Sequence, residues 1–159
     1  MTSAGSGSQY EALIQLLKTS EAIWEASRIF FSRWDISPSQ FNILNLLRDF
    51  PEGCTQTQLS RKLITHRSNI TGMVDRMEAR GLLRRQADPS DRRVFHVMMT
   101  PKAEKLLEEV LPQYYESAGK LWKGISDEQS RLILESLNKL ASNLHDGEFI
   151  PGGGKPNAI

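Results

Sequence analysis

TQTQLSRKLITHRSNITGMVDRMEARGLLRRQADPSDRRVFHVMMT, from Thr55 to Thr100, is the stretch whose reading decides the fold. It predicts a short helix, a tight turn, a second helix, then a strand, a loop and a returning strand. Thr55-Gln56-Thr57-Gln58 is a capping box opening the first helix, which runs to about Leu63. Thr65 caps the second, His66 to Arg80, and Gly81 closes it. Leu82–Gln86 and Val94–Met99 form a two-stranded ribbon around the turn formers Asp88-Pro89-Ser90-Asp91. That order is a helix-turn-helix followed by a β-wing. Charge agrees: residues 61–93 carry nine Lys/Arg against four Asp/Glu, or +5, while the rest of the chain carries eleven against fifteen, or −4. Positive charge gathered on one module is what a phosphate-binding surface requires.

Working outward, apolar residues recur at helical spacing from about Tyr10 to Trp34 without Pro or Gly, predicting a helix of some 25 residues. Ser37-Pro38-Ser39-Gln40 is another capping box with proline in the first turn. The helix it opens carries Phe41, Ile43, Leu44, Leu46 and Leu47, and Pro51 and Gly53 end it. Thr100-Pro101 starts a helix to about Trp122, with a bend expected near Pro112. Ser126 to Gln129 caps a last helix ending near His145. The expected organisation is a disordered 1–8, an N-terminal dimerisation helix over 9–34, a winged helix-turn-helix over 35–100, C-terminal dimerisation helices over 101–146, and a disordered tail over 147–159. The fold class is mostly α.

The 159 residues fit one domain, and no apolar run approaches the length that spans a bilayer. The N-terminus lacks the basic and apolar regions of a signal peptide, so a cytosolic location is expected. A single Cys54 excludes an internal disulfide and a CxxC pair within one chain. His66, His96 and His145 show no HxH or HExxH spacing, so no metal site within one chain is expected, and an inter-subunit site stays open. No nucleophile–base pair or phosphate-binding glycine loop is visible, so neither enzyme chemistry nor a cofactor is expected.

In the second helix of the module, Ile70, Met73, Val74 and Met77 fall at i, i+3, i+4 and i+7 and form the buried stripe. The opposite face presents Arg67, Ser68, Asn69, Thr71, Gly72, Asp75 and Arg76. Arg67 can fork onto guanine and Asn69 onto adenine; Thr71 can touch a thymine methyl or a phosphate, and Gly72 permits close approach. Arg76 suits phosphate, and His66 could also reach DNA. Asp75 is expected to pair with Arg76, Arg80 or a wing arginine. Arg92 and Arg93 sit at the hairpin tip, one pointing outward by alternation. Arg84 and Arg85 on the first ribbon strand, and Arg61 and Lys62 on the preceding helix, are expected at backbone phosphates. The alternative for all these charges is an ordinary solvated surface.

A lone module reads few base pairs, whereas two copies on a two-fold axis read a pseudo-palindrome, with reading helices roughly 34–36 Å apart. The long outer helices carry apolar stripes that need partners. Leu13, Leu16 and Leu17, with Leu132, Ile133, Leu137 and Leu140, are the expected homodimer interface.

LSRKLITHRSNITGMVDRMEARGLLRR followed by DPSDRRVFHVMMTPKAEKLLEEV resembles the MarR (multiple antibiotic resistance regulator) family, over about Ser37 to Val110. The most specific piece is Asp91-Arg92-Arg93 with Thr100-Pro101 shortly after. Ala103 departs from the family, which usually has glycine there. The resemblance implies a homodimeric winged-helix regulator that represses or activates transcription on double-stranded DNA, often in response to a small molecule or oxidant. It favours Arg93 as the minor-groove arginine, with Asp91 bracing the wing. It implies an effector pocket between the dimer helices and the winged unit, for which Trp24, Phe31, Trp34, Phe41 and Tyr114 are aromatic candidates and Arg28 or Arg33 could meet an anion. The competing reading of those aromatics is plain core. It also sets Cys54 in a short buried strand, although its place just before a helix could favour a reactive thiolate. The expected function is a sequence-specific repressor; the alternative is a non-specific architectural DNA-binding protein of the same fold.

Overall fold

The computed structural model describes residues 7–63, 70–91 and 93–145. Helix α1 spans Ser8–Ser32, α2 Pro38–Leu47, α3 Gln56–Lys62, α4 Ile70–Ala79, α5 Pro101–Leu121 and α6 Asp127–His145. The strands are β1 Cys54–Thr55, β2 Leu83–Ala87 and β3 Phe95–Met99. The fold is mostly helical, with a winged helix-turn-helix between long terminal helices.

The local signals act as chemistry demands. Ser37 Oγ accepts from the Gln40 N–H at 3.2 Å while Gln40 Oε1 accepts from the Ser37 N–H at 2.9 Å, satisfying two orphan donors at the start of α2. Thr55 and Gln58 do the same for α3, and Ser126 and Gln129 for α6. Helix α4 ends in a Schellman turn: Gly81, at φ 69°, donates to Glu78 O, and Leu82 donates to Met77 O.

The two-stranded ribbon expected is present as β2 and β3, and the short buried strand that the resemblance sets at Cys54 joins it as β1, making a three-stranded sheet. β3 lies in the middle, with antiparallel β2 on one side and the two-residue β1 on the other. Val97 is the pivot, opposite Arg85 on β2 and Cys54 on β1. Two residues carry no period-2 pattern, so β1 left no trace in hydrophobic alternation.

The buried core joins Phe31 of α1, Phe41, Ile43, Leu44 and Leu47 of α2, Leu59 of α3, the Ile70/Met73/Val74/Met77 stripe of α4, Leu83 and Val97 of the sheet, and Leu107 and Val110 of α5. Phe31 stacks on Phe41 with ring centroids 4.4 Å apart, and Tyr114 closes the cluster at 4.8 Å from Phe41. Ala103 is fully buried in the first turn of α5, where its N–H donates to Thr100 Oγ1 at 3.3 Å. Its methyl group is thus accommodated in the core where the family usually carries glycine.

Candidate nucleic-acid interface

The α4 stripe faces the core, and the residues opposite it face solvent. Thr71, Asp75 and Arg76 are exposed and Gly72 is half-buried. Thr71 Oγ1 lies 3.3 Å from Gln56 Oε1, tying α4 to the start of α3. His66, Arg67, Ser68, Asn69 and Arg92 lie outside the described residues. Arg61 and Lys62 occupy the exposed last turn of α3, with Lys62 Nζ 5.1 Å from the Phe50 ring centroid.

The wing is held by two carboxylates. Asp88 Oδ1 accepts from the Ser90 amide at 2.7 Å, the Ser90 hydroxyl at 2.5 Å and the Asp91 amide at 3.2 Å; its Oδ2 lies 2.8 Å from His96 Nε2. The Ser90 hydroxyl, then His96, then the amides hold the Asp88 carboxyl far below the ordinary carboxylate range. Asp91 accepts the Arg93 amide at 3.0 Å and the guanidinium twice, from Nε at 3.2 Å and Nη2 at 3.3 Å. That fork lowers the Asp91 pKa. Arg93 itself is 90% exposed, so its charge is oriented by Asp91 yet open to a ligand.

Alternation along β2 separates the two arginines that the sequence pairs. Arg84 is exposed, while Arg85 turns back and binds Asp75 and Glu78 on α4. Asp75 is expected against Arg76, Arg80 or a wing arginine; its partner is Arg85, on the first strand of the wing. Glu78 is the member of this cluster that sequence reasoning missed, although its i+3 spacing from Asp75 was the available signal.

Away from this surface, a groove of about 610 Å³ runs between α1 and α5, lined by Ile23, Phe30, Phe31, Tyr114, Ser117 and Leu121 among others. Phe31 and Tyr114 were expected there. Trp24, Arg28, Trp34 and Phe41 are not in its lining: Trp24 is exposed, Arg28 pairs with Glu25 at 3.0 Å, Trp34 packs on Phe30, and Phe41 is core. Arg33 stacks over the Phe30 and Trp34 rings, 4.8 and 4.6 Å from their centroids. Phe30 was missed, though it continues the Leu16–Ile23 spacing of seven. Cys54 is 1% exposed, and burial pushes its thiol pKa up despite nearby Lys62. The expected interface residues Leu13, Leu17, Leu132, Ile133, Leu137 and Leu140 are all exposed on the single chain, and Leu16 is half-buried. No described helix is long and apolar enough to cross a membrane, and no three His, Cys, Asp or Glu among the described residues cluster as a metal would need.

The MarR family model matches residues 36–95, the span from the end of the α1–α2 turn through the start of β3. The Bacillus subtilis HTH-type transcriptional regulator YsmB is 30% identical over 118 residues, which cover 74% of this chain and 80% of that one. The regulator MhqR of the same organism is 30% identical over 108 residues, covering 68% and 74%. Among solved structures, the transcriptional repressor CouR, from Rhodococcus jostii RHA1, superposes in its complex with a 23-mer DNA duplex with a TM-score of 0.72. It is 26% identical, and the match covers 85% of this chain and 92% of that one. The chain belongs to the MarR family.

Proposed function

We propose that this chain is a sequence-specific, homodimeric transcriptional repressor. The observation that carries the reading is the pairing of a DNA-sized polar helix face, Thr71 to Arg76, with an exposed wing guanidinium, Arg93, held in a fork by Asp91. Helix α4 suits the major groove, with Arg67, Ser68, Asn69, Thr71 and Gly72 toward base edges and Arg76 toward phosphate. Arg93, and Arg92 beside it, suit the narrow minor groove that attracts arginine. Arg84 suits a backbone phosphate. The winged unit over 35–100 is carried by a dimer built from 9–34 and 101–146, through the exposed leucines of α1 and α6. CouR, a repressor that binds a DNA duplex, supports repression as the direction of control. The groove beside Phe30 and Tyr114 is the place for a small-molecule effector, whose chemistry the largely apolar lining restricts to a mainly hydrophobic body.

The test is binding of the full chain to the DNA flanking its own gene, in competition with random duplex at fixed salt. Tight binding at a two-fold-symmetric site, with a selectivity of about a thousandfold or more over random DNA, is expected. Equal affinity for both duplexes would replace this reading with an architectural one. Arg93→Ala is expected to weaken the specific complex, most strongly where the flanking sequence is A·T-rich.

A further inference from the structure

We propose that Arg85 is a positioning residue, which fixes the rotation and height of the reading helix α4 against the wing strand by bridging Asp75 and Glu78. This rests on the DNA-binding reading above and reverses the part the sequence assigned to Arg85, that of a phosphate contact.

Three bonds carry the inference. The backbone N–H of Arg85 donates to Glu78 Oε1 at 2.9 Å, its Nη1 donates to Glu78 Oε2, and its Nη2 donates to Asp75 Oδ1. One end of the bridge is rooted in a strand paired with β3. The other end grips two carboxylates three residues apart, hence on one side of the helix. The two Nη groups lie in one rigid plane, so both carboxylates must hold a fixed register for both bonds to form. Turning α4 by one residue, or sliding it, breaks at least one. Base reading tolerates only about 0.5 Å and 10–20° of such error. The Arg85 side chain is 23% exposed, whereas neighbouring Arg84 faces solvent. Reaching a phosphate would require Arg85 to abandon two carboxylates on the helix that approaches DNA. Left unpaired, those carboxylates would repel the backbone. The bridge therefore orients the helix and offsets one of the two negative charges that Asp75 and Glu78 bring to it.

Lysine separates the two roles, because it keeps the charge but cannot form the fork. The experiment measures affinity against KCl concentration for the full-length protein, using a duplex that the wild type has enriched from a random pool, and random duplex as reference. Arg85→Lys is expected to bind the enriched duplex roughly tenfold more weakly, in the middle of the range for residues sharing one ion-pair network. Its preference over random DNA should narrow, with the salt slope unchanged. Glu78→Gln should weaken binding in the same way, and the double variant should be no worse than Arg85→Lys. Arg84→Gln, by contrast, should flatten the salt slope by about one unit. Asp75→Asn, at an exposed site, gives the same readout if the Arg85 variants fold poorly, with a smaller narrowing of preference. Wild-type affinity in Arg85→Lys, with a slope lowered by about one in Arg85→Gln, would overturn the inference in favour of a phosphate contact. So would unchanged or tighter binding by Glu78→Gln. Enrichment of no duplex by the wild type would instead overturn the DNA-binding reading itself, and the inference with it.

Discussion

Arg80, directly after α4, donates from Nη2 to Oδ2 of Asp35 at 2.9 Å, and Asp35 ends α1 in the left-handed region at φ 52°. The contact joins the end of α4 to the end of the long N-terminal helix. Asp35 closes α1 as glycine usually would: its N–H donates to Ser32 O at 3.0 Å, and that of Ile36 donates to Phe31 O at 3.4 Å. Lys102 Nζ and Thr100 Oγ1 add bonds to Arg80 O and Gly81 O, at 2.8 and 2.7 Å, from the start of α5. The segments that end α1 and start α5 thus grip the same turn, just after α4.

The Asp35 side chain is 94% exposed, so its ion pair contributes little and the backbone conformation decides the outcome of substitution. Asp35→Gly is expected to stay within about 0.5 kcal/mol of wild type, relief of the left-handed strain offsetting the lost pair and the added freedom of the unfolded chain. Asp35→Val should lose about 1–2 kcal/mol. Urea unfolding at one fixed protein concentration checks this, and equal losses in the two variants would refute it.

Gly53 and Gly81 make a second comparison. Both have positive φ, but a Cβ on Gly53 would lie 2.6 Å from Met98 Cγ and 2.7 Å from Val97 O, while one on Gly81 would meet nothing within 4 Å. Gly53→Ala combines left-handed strain with collision against a backbone carbonyl of the central strand, and is expected to cost about 2–4 kcal/mol. Gly81→Ala pays the conformational term alone, about 1 kcal/mol. Similar losses in the two variants would show that β1 and β3 can separate without penalty.

Much of this was legible in the sequence, because helix caps are local. Ser37–Gln40, Thr55–Gln58 and Ser126–Gln129 each needed only residues three apart, and Gly81 needed only its place after the Ile70–Met77 stripe. The turn formers Asp88 to Asp91 gave the wing. What escaped depends on non-local placement. Strand β1, which only the resemblance placed at Cys54, exists because Cys54 and Thr55 fall beside Val97 and His96, which no two-residue pattern can announce. The opposite fates of Arg84 and Arg85 follow from which face of β2 meets α4. The groove was legible only in part for a similar reason: Phe31 and Tyr114 line it, but of Trp24 and Phe30, both on α1, only Phe30 turns toward α5.

The wing should show a dependence on acid. In the fold Asp88 is held well below the ordinary carboxylate pKa, chiefly by the Ser90 hydroxyl. A depressed carboxylate contributes its full stabilisation above its unfolded pKa, about 4, and loses it as pH falls toward the folded value. Asp88→Asn should therefore melt below wild type near pH 7, and the gap should close below about pH 4. A gap that widens on acidification would contradict this assignment.

Cys54 should be inert in the native protein. It is 1% exposed, and burial raises its thiol pKa, so little thiolate is available near neutral pH. Iodoacetamide is expected to label it only after unfolding, and peroxide should not alter DNA affinity through it. Native labelling as fast as that of a free cysteine would reopen oxidant sensing.

Helix α6 tests the dimer. Of residues 127–144 only Ser130 is even half-buried, although Leu132, Ile133, Leu137, Leu140 and Leu144 are spread along it. Hydrogen bonds within a helix of this length do not hold it in water; an apolar face must be covered. In the proposed dimer a second copy of the chain supplies that cover, with Leu13 and Leu17 of α1 joining the same surface. Replacing Ile133 and Leu137 by Glu removes four large apolar side chains from a symmetric dimer, each contributing about 1.5–3 kcal/mol when fully buried. The loss of roughly 6 kcal/mol or more exceeds the approximately 4 kcal/mol that separates nanomolar from micromolar association. The double variant should therefore sediment as a monomer at micromolar concentration, lose helical circular dichroism and fail to hold a two-fold-symmetric site, because one winged unit reads only a half-site. A wild-type chain that sediments as a monomer with α6 fully helical would refute the dimer and leave the exposed stripe to a different partner.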